Sequence, residues 1–381
     1  MPTQKTQTAI IQTEEASSTK TNLTSVLPLT VSHTVPVPGL PSPNHVLVRV
    51  LAVALNPTDH KAVSHFPNPS GGVGCDFCGV IVEPQDGRYP AGTRVCGSVF
   101  PYASSSSPRE DADATRILSG SFAQFVAADA RLLLRVPDEW DDLHGAALGG
   151  VGWGTAGLAI SDPEALALPG LPSNPATEKE PVLVYGGATA SGTMACQLLK
   201  CSGYLPIAVT SATSAALAIE YGAVGTAAYT SPKCREDIRN NANGLPIRHA
   251  LDCITDAESV DICFAAMART GGHYACLEEM NKAWITRRAI RVKEVMGYEG
   301  LGVNINLGPT SSTYLREANQ ELFNILANWA TEMQLLLDER LIKPHPVREV
   351  QGHWDGVIHG LGVLQRTEVR GQKLVVRIAA M

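Results

Sequence analysis

Two glycines and a run of small, hydroxyl-bearing residues follow a short apolar segment in VLVYGGATASGT (182–193). Gly186 and Gly187 suit a tight turn, and Gly192 permits close contact between a strand and the next helix. In such a turn the backbone approaches a phosphate, and the free N–H groups at the start of the helix bind the anion. An ordinary strand–helix connection is the alternative, because Thr189 and Ala190 stand where another glycine is common. We interpret the turn as a dinucleotide cradle, formed by Ala188, Thr189, Ala190, Ser191, Gly192 and Thr193.

The next apolar segment ends in hydroxyl groups and carries no acid before Glu220. An NAD site places Asp or Glu at this point to bind the ribose 2′-hydroxyl, whereas a carboxylate would repel a 2′-phosphate. Neutral donors here therefore favour NADPH as the cofactor. The alternative for Ser214 is a simple cap of the following helix. The residues assigned to the 2′-phosphate are Ser211, Ala212, Thr213 and Ser214.

The elements that position these residues alternate between strands and helices from Pro181 onward. That rhythm is typical of a parallel, doubly wound sheet, which binds ligands at the carboxyl ends of its strands. Earlier strands near 45–56, 79–83 and 92–100 are separated by Pro and Gly, which indicates a β-rich domain. A last strand in GQKLVVRI is expected to return to that domain. We predict an α/β protein with a Rossmann domain and a β-rich domain.

Length and composition limit the possible classes. A chain of 381 residues suits two domains, and we place a flexible lead-in at 1–25, the β-rich domain at 26–165 and 330–381, and the Rossmann domain at 166–329. The net charge of −7 argues against a nucleic-acid binder. No apolar run approaches the roughly 20 residues that span a bilayer, and the polar N-terminus is not a signal peptide. We expect a cytoplasmic protein.

The nine cysteines are odd in number and lie mostly in apolar settings, which favours reduced, buried thiols. Cys75 and Cys78 form a C-x-x-C pair without the second pair that a zinc knuckle needs, so we interpret them as packing residues.

A β-rich first domain, a Rossmann domain and a returning strand together resemble the medium-chain dehydrogenase/reductase superfamily, whose first domain is GroES-like. Its zinc-dependent members carry a G-H-E motif and clustered cysteines, but this chain reads GCDFCGVIV and has no cysteine between Ser98 and Gly120. We therefore expect no metal. Within the zinc-free branch, ALNPTDHK, VLVYGGATASGT, HALDCIT and KLVVR resemble the trans-acting enoyl reductases of fungal polyketide synthases.

The resemblance implies a role for each matching position. Thr155 would meet the nicotinamide carboxamide and Tyr229 would lie along the adenosine, although a plain strand aromatic is the alternative for Tyr229. Lys61 would act beside the nicotinamide, with a surface lysine as the alternative. Further cofactor contacts would come from Pro57, Thr58, Asp59, His60, Leu277, Glu278, Gly371 and Gln372. The substrate stretch would be Gly300, Leu301, Gly302, Val303 and Asn304.

The reaction that the resemblance implies is reduction of an α,β-unsaturated polyketide thioester on an acyl carrier protein. Hydride from NADPH would reach the β-carbon, and Lys61 or a backbone N–H would contact the enolate oxygen. The proton donor stays open among His60, Lys61 and solvent. A stand-alone quinone or enone reductase is one alternative function. A cofactor-binding scaffold or isomerase-cyclase without hydride transfer is the other.

The implied carrier protein is acidic, so its partner surface should be basic. Arg287, Arg288, Arg291 and Lys293 form the densest basic cluster in this acidic chain, with an ordinary solvated face as the alternative. The resemblance also favours a monomer.

Overall fold

The structure, a computed structural model, describes residues 5–14, 27–84, 87–102, 119–307 and 314–378. Its strands in chain order are β1 (Thr6–Gln12), β2 (Leu29–Pro36), β3 (His45–Ala54), β4 (Asp76–Glu83), β5 (Arg94–Ser98), β6 (Phe125–Asp129), β7 (Leu134–Arg135), β8 (Pro181–Tyr185), β9 (Leu205–Thr210), β10 (Gly225–Ala228), β11 (His249–Asp252), β12 (Gly272–Cys276), β13 (Ile290–Glu294), β14 (Ile305–Asn306), β15 (Leu315–Arg316), β16 (Val347–Glu349) and β17 (Lys373–Arg377). Its α-helices are α1 (Pro57–His65), α2 (Asp142–Leu148), α3 (Val151–Ser161), α4 (Ala190–Cys201), α5 (Ala215–Glu220), α6 (Cys234–Asn241), α7 (Ala257–Ala266), α8 (Gln320–Asp338) and α9 (His353–Gln365). Short 3-10 helices lie at Ala130–Leu132, Ala212–Ser214, Lys282–Trp284 and Gly297–Leu301.

The chain divides into two compact units. The first unit contains 1–151, 301–320 and 346–381, and the second contains 152–300 and 321–345. These boundaries differ from those predicted at 165, 329 and 330, because helices α3 and α8 pack together within the second unit. A Cβ at Gly157 would lie 2.6 Å from the ring of Trp329, and the Trp329 indole N–H donates to Ser161 Oγ at 2.9 Å. Gly157 and Ser161 on α3 thus leave room for the large side chain of Trp329 on α8.

The second unit is built on a six-stranded sheet with the order β10-β9-β8-β11-β12-β13. Every neighbouring pair in it is parallel, which confirms the predicted doubly wound sheet. The chain leaves β8 toward β9 on one side and later places β11 on the other side. The switch point, where such sheets bind ligands, therefore lies at the carboxyl end of β8.

The first unit is built on a larger sheet with the order β16-β17-β3-β4-β5-β7, and β6 also pairs with β3. Apart from β16 and β17, which are parallel, its pairs are antiparallel. Strand β17 lies against β3, with Val375 opposite Ala54. The predicted return of the last strand to the first domain is confirmed.

The predicted flexible lead-in is wrong for its first part. Residues 6–12 form β1, which pairs antiparallel with β2, while 15–25 lie outside the described residues. The strand holds because Ile10 is fully buried and the Gln7 amide bonds twice: its Nε2 donates to the Pro36 carbonyl at 3.1 Å, and its Oε1 accepts the Phe125 N–H at 2.7 Å. Polar composition concealed a strand whose polar side chains are satisfied internally.

All nine cysteines are free thiols, and seven of them are buried. Burial raises the pKa of the Cys196 thiol to about 12, so it is held as an unreactive packing group. Within the described residues, no helix is both long and apolar enough to cross a bilayer.

Candidate cofactor and substrate site

The predicted glycine turn joins β8 to α4 at the switch point of the second unit. Gly186 has a φ of 76°, a conformation that favours glycine. A Cβ at Gly187 would overlap the side chain of Ala208, and a Cβ at Gly192 would overlap the Gly186 carbonyl oxygen. Glycine is thus required at these positions by the close packing of strand, turn and helix, and the turn has the shape of a dinucleotide cradle.

The turn presents unpaired donors. Thr189 is the N-cap of α4, and its hydroxyl oxygen accepts the Gly192 N–H at 3.0 Å. In the described part of the chain, the backbone N–H groups of Ala188, Ala190 and Ser191 have no protein acceptor. These donors lie at the positive end of a twelve-residue helix, so they suit a diphosphate.

The Thr193 hydroxyl is not one of the donors available to a diphosphate. Thr193 is 1% exposed, and its hydroxyl lies 2.9 Å from His345 Nδ1 and 3.2 Å from the Ala190 carbonyl oxygen. The assignment of its side chain to the diphosphate is therefore wrong, because the hydroxyl faces inward on α4. Helical geometry places this fourth residue of the helix on the buried face.

The hydroxyl cluster after β9 matches its predicted place. Ser211 Oγ donates to Ser214 Oγ at 2.9 Å and lies 3.1 Å from Thr213 Oγ1. Ala212 and Thr213 are exposed, and Ser214 makes no side-chain cap bond to α5. The alternative role for Ser214 as a helix cap is thus absent from the structure, and the hydroxyls form an accessible neutral group.

Tyr229 follows β10, the strand next to β9. Its N–H donates to the Thr210 carbonyl at 3.1 Å, and its ring centroid lies 6.3 Å from that of Tyr185 at the end of β8. The glycine turn, the hydroxyl cluster and this half-buried ring therefore lie at the carboxyl ends of three adjacent parallel strands. The structure brings these predicted residues together along one edge.

Leu277 and Glu278 lie on the other side of the switch point, directly after β12. The Leu277 N–H donates to the Asp252 carbonyl at 3.2 Å, and the Glu278 N–H donates to Thr255 Oγ1 at 3.3 Å. Leu277 is half-buried and Glu278 is exposed. Their backbone is thus fixed to the end of β11.

Thr155 lies on α3 and is 9% exposed. A Cβ at Gly297 would lie 2.5 Å from Thr155 Oγ1, so the start of the 3-10 helix Gly297–Leu301 rests on this hydroxyl. Gly300 approaches Leu158 and Leu326 in the same way, with Cβ distances of 3.0 and 2.9 Å. The second unit therefore places Thr155 next to the beginning of the predicted substrate stretch.

The remaining substrate residues belong to the first unit. Leu301, Gly302 and Val303 are half-buried, and Gly302 has a φ of 67°. Asn304 Oδ1 accepts the Ala318 N–H at 2.9 Å. This bond shows that the Asn304 side chain secures the segment between β15 and α8.

Helix α1 of the first unit carries the residues predicted to face the nicotinamide. Pro57 is its first residue and is exposed, while Thr58, His60 and Lys61 are half-buried. Asp59 is 1% exposed, and its Oδ2 accepts the Asn56 N–H at 2.7 Å. The Asp59 carboxyl closes a capping box at the start of α1, so it is not available to the cofactor, and any contact of Asp59 with a cofactor would have to come from its backbone.

Burial changes the acid–base behaviour of two neighbours on α1. Burial raises the pKa of Asp59 to about 7, although the hydrogen bond from the Asn56 backbone N–H acts in the opposite direction and lowers it. Burial, followed by the positive charges of Lys61 and His65, lowers the pKa of His60 to about 4. The His60 imidazole is therefore neutral at physiological pH and cannot supply a proton as an imidazolium.

A buried polar network that the sequence analysis missed anchors α1. Lys373 Nζ donates to Asp76 Oδ2 at 2.7 Å and to Asn56 Oδ1 at 2.9 Å. Asp76 Oδ1 accepts the N–H groups of Gly150 and Val151 at 2.8 and 2.9 Å. Asp76 stands in the GCD that replaces G-H-E, and this acid was the available signal for the network.

The same network positions the loop before β17. Lys373 directly follows Gly371 and Gln372, and the Leu55 N–H donates to the Leu374 carbonyl at 2.9 Å. The first unit therefore brings the predicted contacts Gly371 and Gln372 close to the residues that precede α1.

Comparison with known proteins decides the family. The chain is 55% identical over 383 residues to the trans-enoyl reductase calK of Penicillium decumbens, with 98% of each chain covered. It is 53% identical over 375 residues to the trans-enoyl reductase sthE of Phaeosphaeria nodorum, again with 98% of each covered. The chain belongs to the trans-enoyl reductase family. Residues 42–138 also match the alcohol dehydrogenase GroES-like domain.

This trans-enoyl reductase shares its fold with solved proteins of low sequence identity. A solved alcohol dehydrogenase superfamily protein from Novosphingobium aromaticivorans superposes with a TM-score of 0.69 at 18% identity, covering 98% of this chain and 100% of the other. The resemblance described from the sequence and the GroES-like plus Rossmann fold class are thereby confirmed.

Members of this oxidoreductase superfamily use a nicotinamide cofactor, and the second unit fits one. The required glycines and the three unpaired N–H groups supply a diphosphate site. The hydroxyl cluster and Tyr229 supply groups for one nucleoside end. Within the described residues, no three His, Cys, Asp or Glu side chains are grouped to hold a metal ion.

The predicted basic cluster of this trans-enoyl reductase divides into two kinds of residue. The Arg287 guanidinium donates to the carbonyls of Met267 and Ala268 at 3.1 and 2.6 Å, and Lys293 pairs with Glu164 at 2.7 Å. Arg288 and Arg291 are exposed. Two members of the cluster thus serve the fold of the second unit, and two lie on its surface.

Proposed function

We propose that the protein reduces the carbon–carbon double bond of an α,β-unsaturated polyketide thioester with NADPH. The observation that carries this proposal is the edge of the second unit, where unpaired N–H groups and a neutral hydroxyl cluster follow adjacent strands. The trans-enoyl reductase names of relatives over 50% identical support the reaction class. When bound, the reduced nicotinamide supplies a hydride to the β-carbon.

NADPH rather than NADH is proposed because the residues after β9 are neutral donors. Ser211, Thr213 and Ser214 can donate to a 2′-phosphate, and no carboxylate stands among 211–219 to repel it. The backbone N–H groups of Ala188, Ala190 and Ser191 would hold the diphosphate. Tyr229 would pack along the adenosine.

The protein's own part in the chemistry is orientation and charge stabilisation. We assign the carboxamide contact to Thr155 and the enolate oxygen to Lys61 or a backbone N–H. Pro57, Thr58 and His60 would line the nicotinamide, with Leu277, Glu278, Gly371 and Gln372 as further contacts. The α-carbon proton would come from Lys61 or solvent, because burial lowers the pKa of His60 and disfavours its imidazolium form. The substrate would meet the stretch 300–304, through the backbone in the case of Asn304.

The proposed partner is the acyl carrier protein domain of a polyketide synthase, in the cytoplasm. Arg288 and Arg291 are the exposed members of the basic cluster and would face an acidic carrier surface. A monomer is proposed because β13, one of the two edge strands of its sheet, carries charged residues, and Lys293 on it is paired with Glu164.

The test is incubation of the protein with NADPH and a panel of enoyl substrates, with NADPH absorbance followed over time. Carrier-bound enoyl thioesters should be reduced fastest, and NADH should support a slower rate. Preferential reduction of free enones or quinones would instead identify a stand-alone reductase. Binding of NADPH without consumption on any substrate would identify a scaffold or an isomerase-cyclase.

A further inference from the structure

A buried carboxylate lies where β11 ends. Asp252 is fully buried, and its Oδ1 accepts the N–H groups of Ile254 and Thr255 at 2.8 and 2.9 Å. Its Oδ2 accepts the Tyr274 hydroxyl at 2.7 Å and the Ser259 hydroxyl in a short bond. Four donors thus satisfy a carboxylate that would otherwise be costly to bury. The carboxylate holds the loop that follows its own strand.

That loop contains a strained residue. Thr255 has a φ of 61°, which is unusual for a β-branched side chain because Cβ crowds the backbone in this region. Such conformations persist only where several contacts impose them, and they are frequent at functional sites. Here the Thr255 N–H is held by the Asp252 carboxylate, and its hydroxyl donates to the Asp252 carbonyl at 3.4 Å.

The strained residue is in turn bonded to the next loop along the sheet. Thr255 Oγ1 accepts the Glu278 N–H at 3.3 Å, and the Asp252 carbonyl accepts the Leu277 N–H at 3.2 Å. Asp252 and Thr255 therefore fix the backbone of Leu277 and Glu278 after β12. Thr255 is 8% exposed, so its hydroxyl acts within the protein rather than on a ligand.

The two sides of the switch point serve different halves of a dinucleotide. The hydroxyl cluster and Tyr229 follow β9 and β10, on the side that suits the adenosine half. Leu277 and Glu278 follow β12 on the opposite side, which leaves them the nicotinamide half. A substitution at Thr255 should therefore weaken the binding of the nicotinamide half of the cofactor and leave the binding of the adenosine half unchanged.

We propose that Asp252 and Thr255 are positioning residues for the nicotinamide half of the cofactor, which they orient by fixing the Leu277–Glu278 backbone. This inference rests on the proposed function, because it requires NADPH to bind along this edge. It adds two residues to the site that do not touch the cofactor and act through another loop.

The experiment compares Thr255→Gly with Thr255→Ser. Glycine accepts the φ of 61° and removes the hydroxyl together with Cβ and the methyl group, so the variant should fold, whereas serine keeps Cβ and the hydroxyl and is the matched control. Binding is measured by titration with NADPH and with 2′-phosphoadenosine 5′-diphosphoribose, which lacks the nicotinamide. We expect Thr255→Gly to bind NADPH about tenfold more weakly, or about 1.4 kcal/mol, with unchanged affinity for the truncated probe. Thr255→Ser should match wild type with both.

Equal affinity of wild type and Thr255→Gly for NADPH would overturn the positioning role. Equal weakening toward both ligands would also overturn it, because the effect would then be a general disturbance of the second unit. Thermal unfolding of both variants checks that the fold is kept. A wild-type protein that binds neither ligand would contradict the proposed function instead, so the two failures are distinct.

Discussion

Lys373 Nζ lies 2.7 Å from Asp76 Oδ2 in the interior of the first unit, with the two side chains 4% and 0% exposed. The pair joins β17 to β4 and also holds Asn56, the residue before α1. An ion pair this deeply buried is stable only because the remaining hydrogen-bonding groups of the two side chains also have partners. Here Asp76 receives four donors, from Asn56, Gly150, Val151 and Lys373.

Lys373→Met should destabilise the protein strongly. The methionine fills similar space but leaves Asp76 buried without its counter-charge, which typically costs about 3–5 kcal/mol. Urea unfolding measures the change, and Lys293→Gln is the control, because it breaks a partly exposed pair worth about 0–1 kcal/mol. Similar small losses in both variants would mean that the buried pair contributes no more than a surface pair.

Asp59→Asn should change the pH dependence of stability. The pKa of the buried Asp59 is raised from 3.8 to about 7, so the folded state binds its proton more tightly than the unfolded state between these values. Its contribution to stability is therefore present at low pH and is lost as pH rises from about 4 to about 7. The asparagine keeps the acceptor for the Asn56 N–H without ionising.

The measurement is urea unfolding of wild type and Asp59→Asn at a series of pH values. The variant should gain stability relative to wild type as pH rises through this window. Asp355→Asn, an exposed acid on α9, is the control and should follow wild type. A constant difference between Asp59→Asn and wild type would contradict the raised pKa.

Ser211→Asp should reduce the preference for NADPH. A carboxylate in the hydroxyl cluster would repel a 2′-phosphate, whereas the ribose 2′-hydroxyl of NADH would donate a hydrogen bond to it. Wild type should bind NADPH at least about tenfold more tightly than NADH, and the variant should lose most of this ratio. Thr331→Asp, which adds the same charge on an exposed part of α8, should leave the ratio unchanged. Equal wild-type affinities for the two cofactors would contradict NADPH specificity.

Removal of metal should have no effect on activity. The chain lacks the G-H-E motif and the cysteine cluster of zinc-dependent relatives, so hydride transfer should need no Lewis acid. Elemental analysis of purified protein should find no stoichiometric zinc, and a chelator should leave turnover intact. One zinc ion per chain would overturn the zinc-free assignment.

Lys61→Ala and Thr155→Val should affect different kinetic constants. Loss of an enolate contact at Lys61 typically lowers kcat by about 10²-fold, with little change in the affinity for NADPH. Thr155→Val replaces the hydroxyl proposed to meet the carboxamide, so it should raise the KM for NADPH. Steady-state kinetics on a carrier-bound enoyl substrate separate the two effects. Unchanged turnover of Lys61→Ala would transfer the enolate role to backbone donors.

The sequence alone determined the fold class and predicted the edge of the sheet at which a cofactor would bind. The strand–helix rhythm after Pro181 and the glycines at 186, 187 and 192 are local signals, because periodicity and steric demand act over a few residues. The place of the hydroxyl cluster followed for the same reason: it ends a strand, and parallel strands carry ligands at that edge.

Tertiary structure decided which way individual side chains face. Thr193 lies in a motif that suggests a ligand, but long-range packing turns its hydroxyl toward His345, which is 152 residues away. The Asp59 carboxyl caps its own helix through a local bond to Asn56, and it is the surrounding fold that buries it. The Asp76–Lys373 pair joins residues 297 positions apart, and β1 is a strand because β2 and Phe125 satisfy its polar groups. Burial and pairing depend on neighbours that only the folded chain supplies, so these features could not be predicted from local sequence.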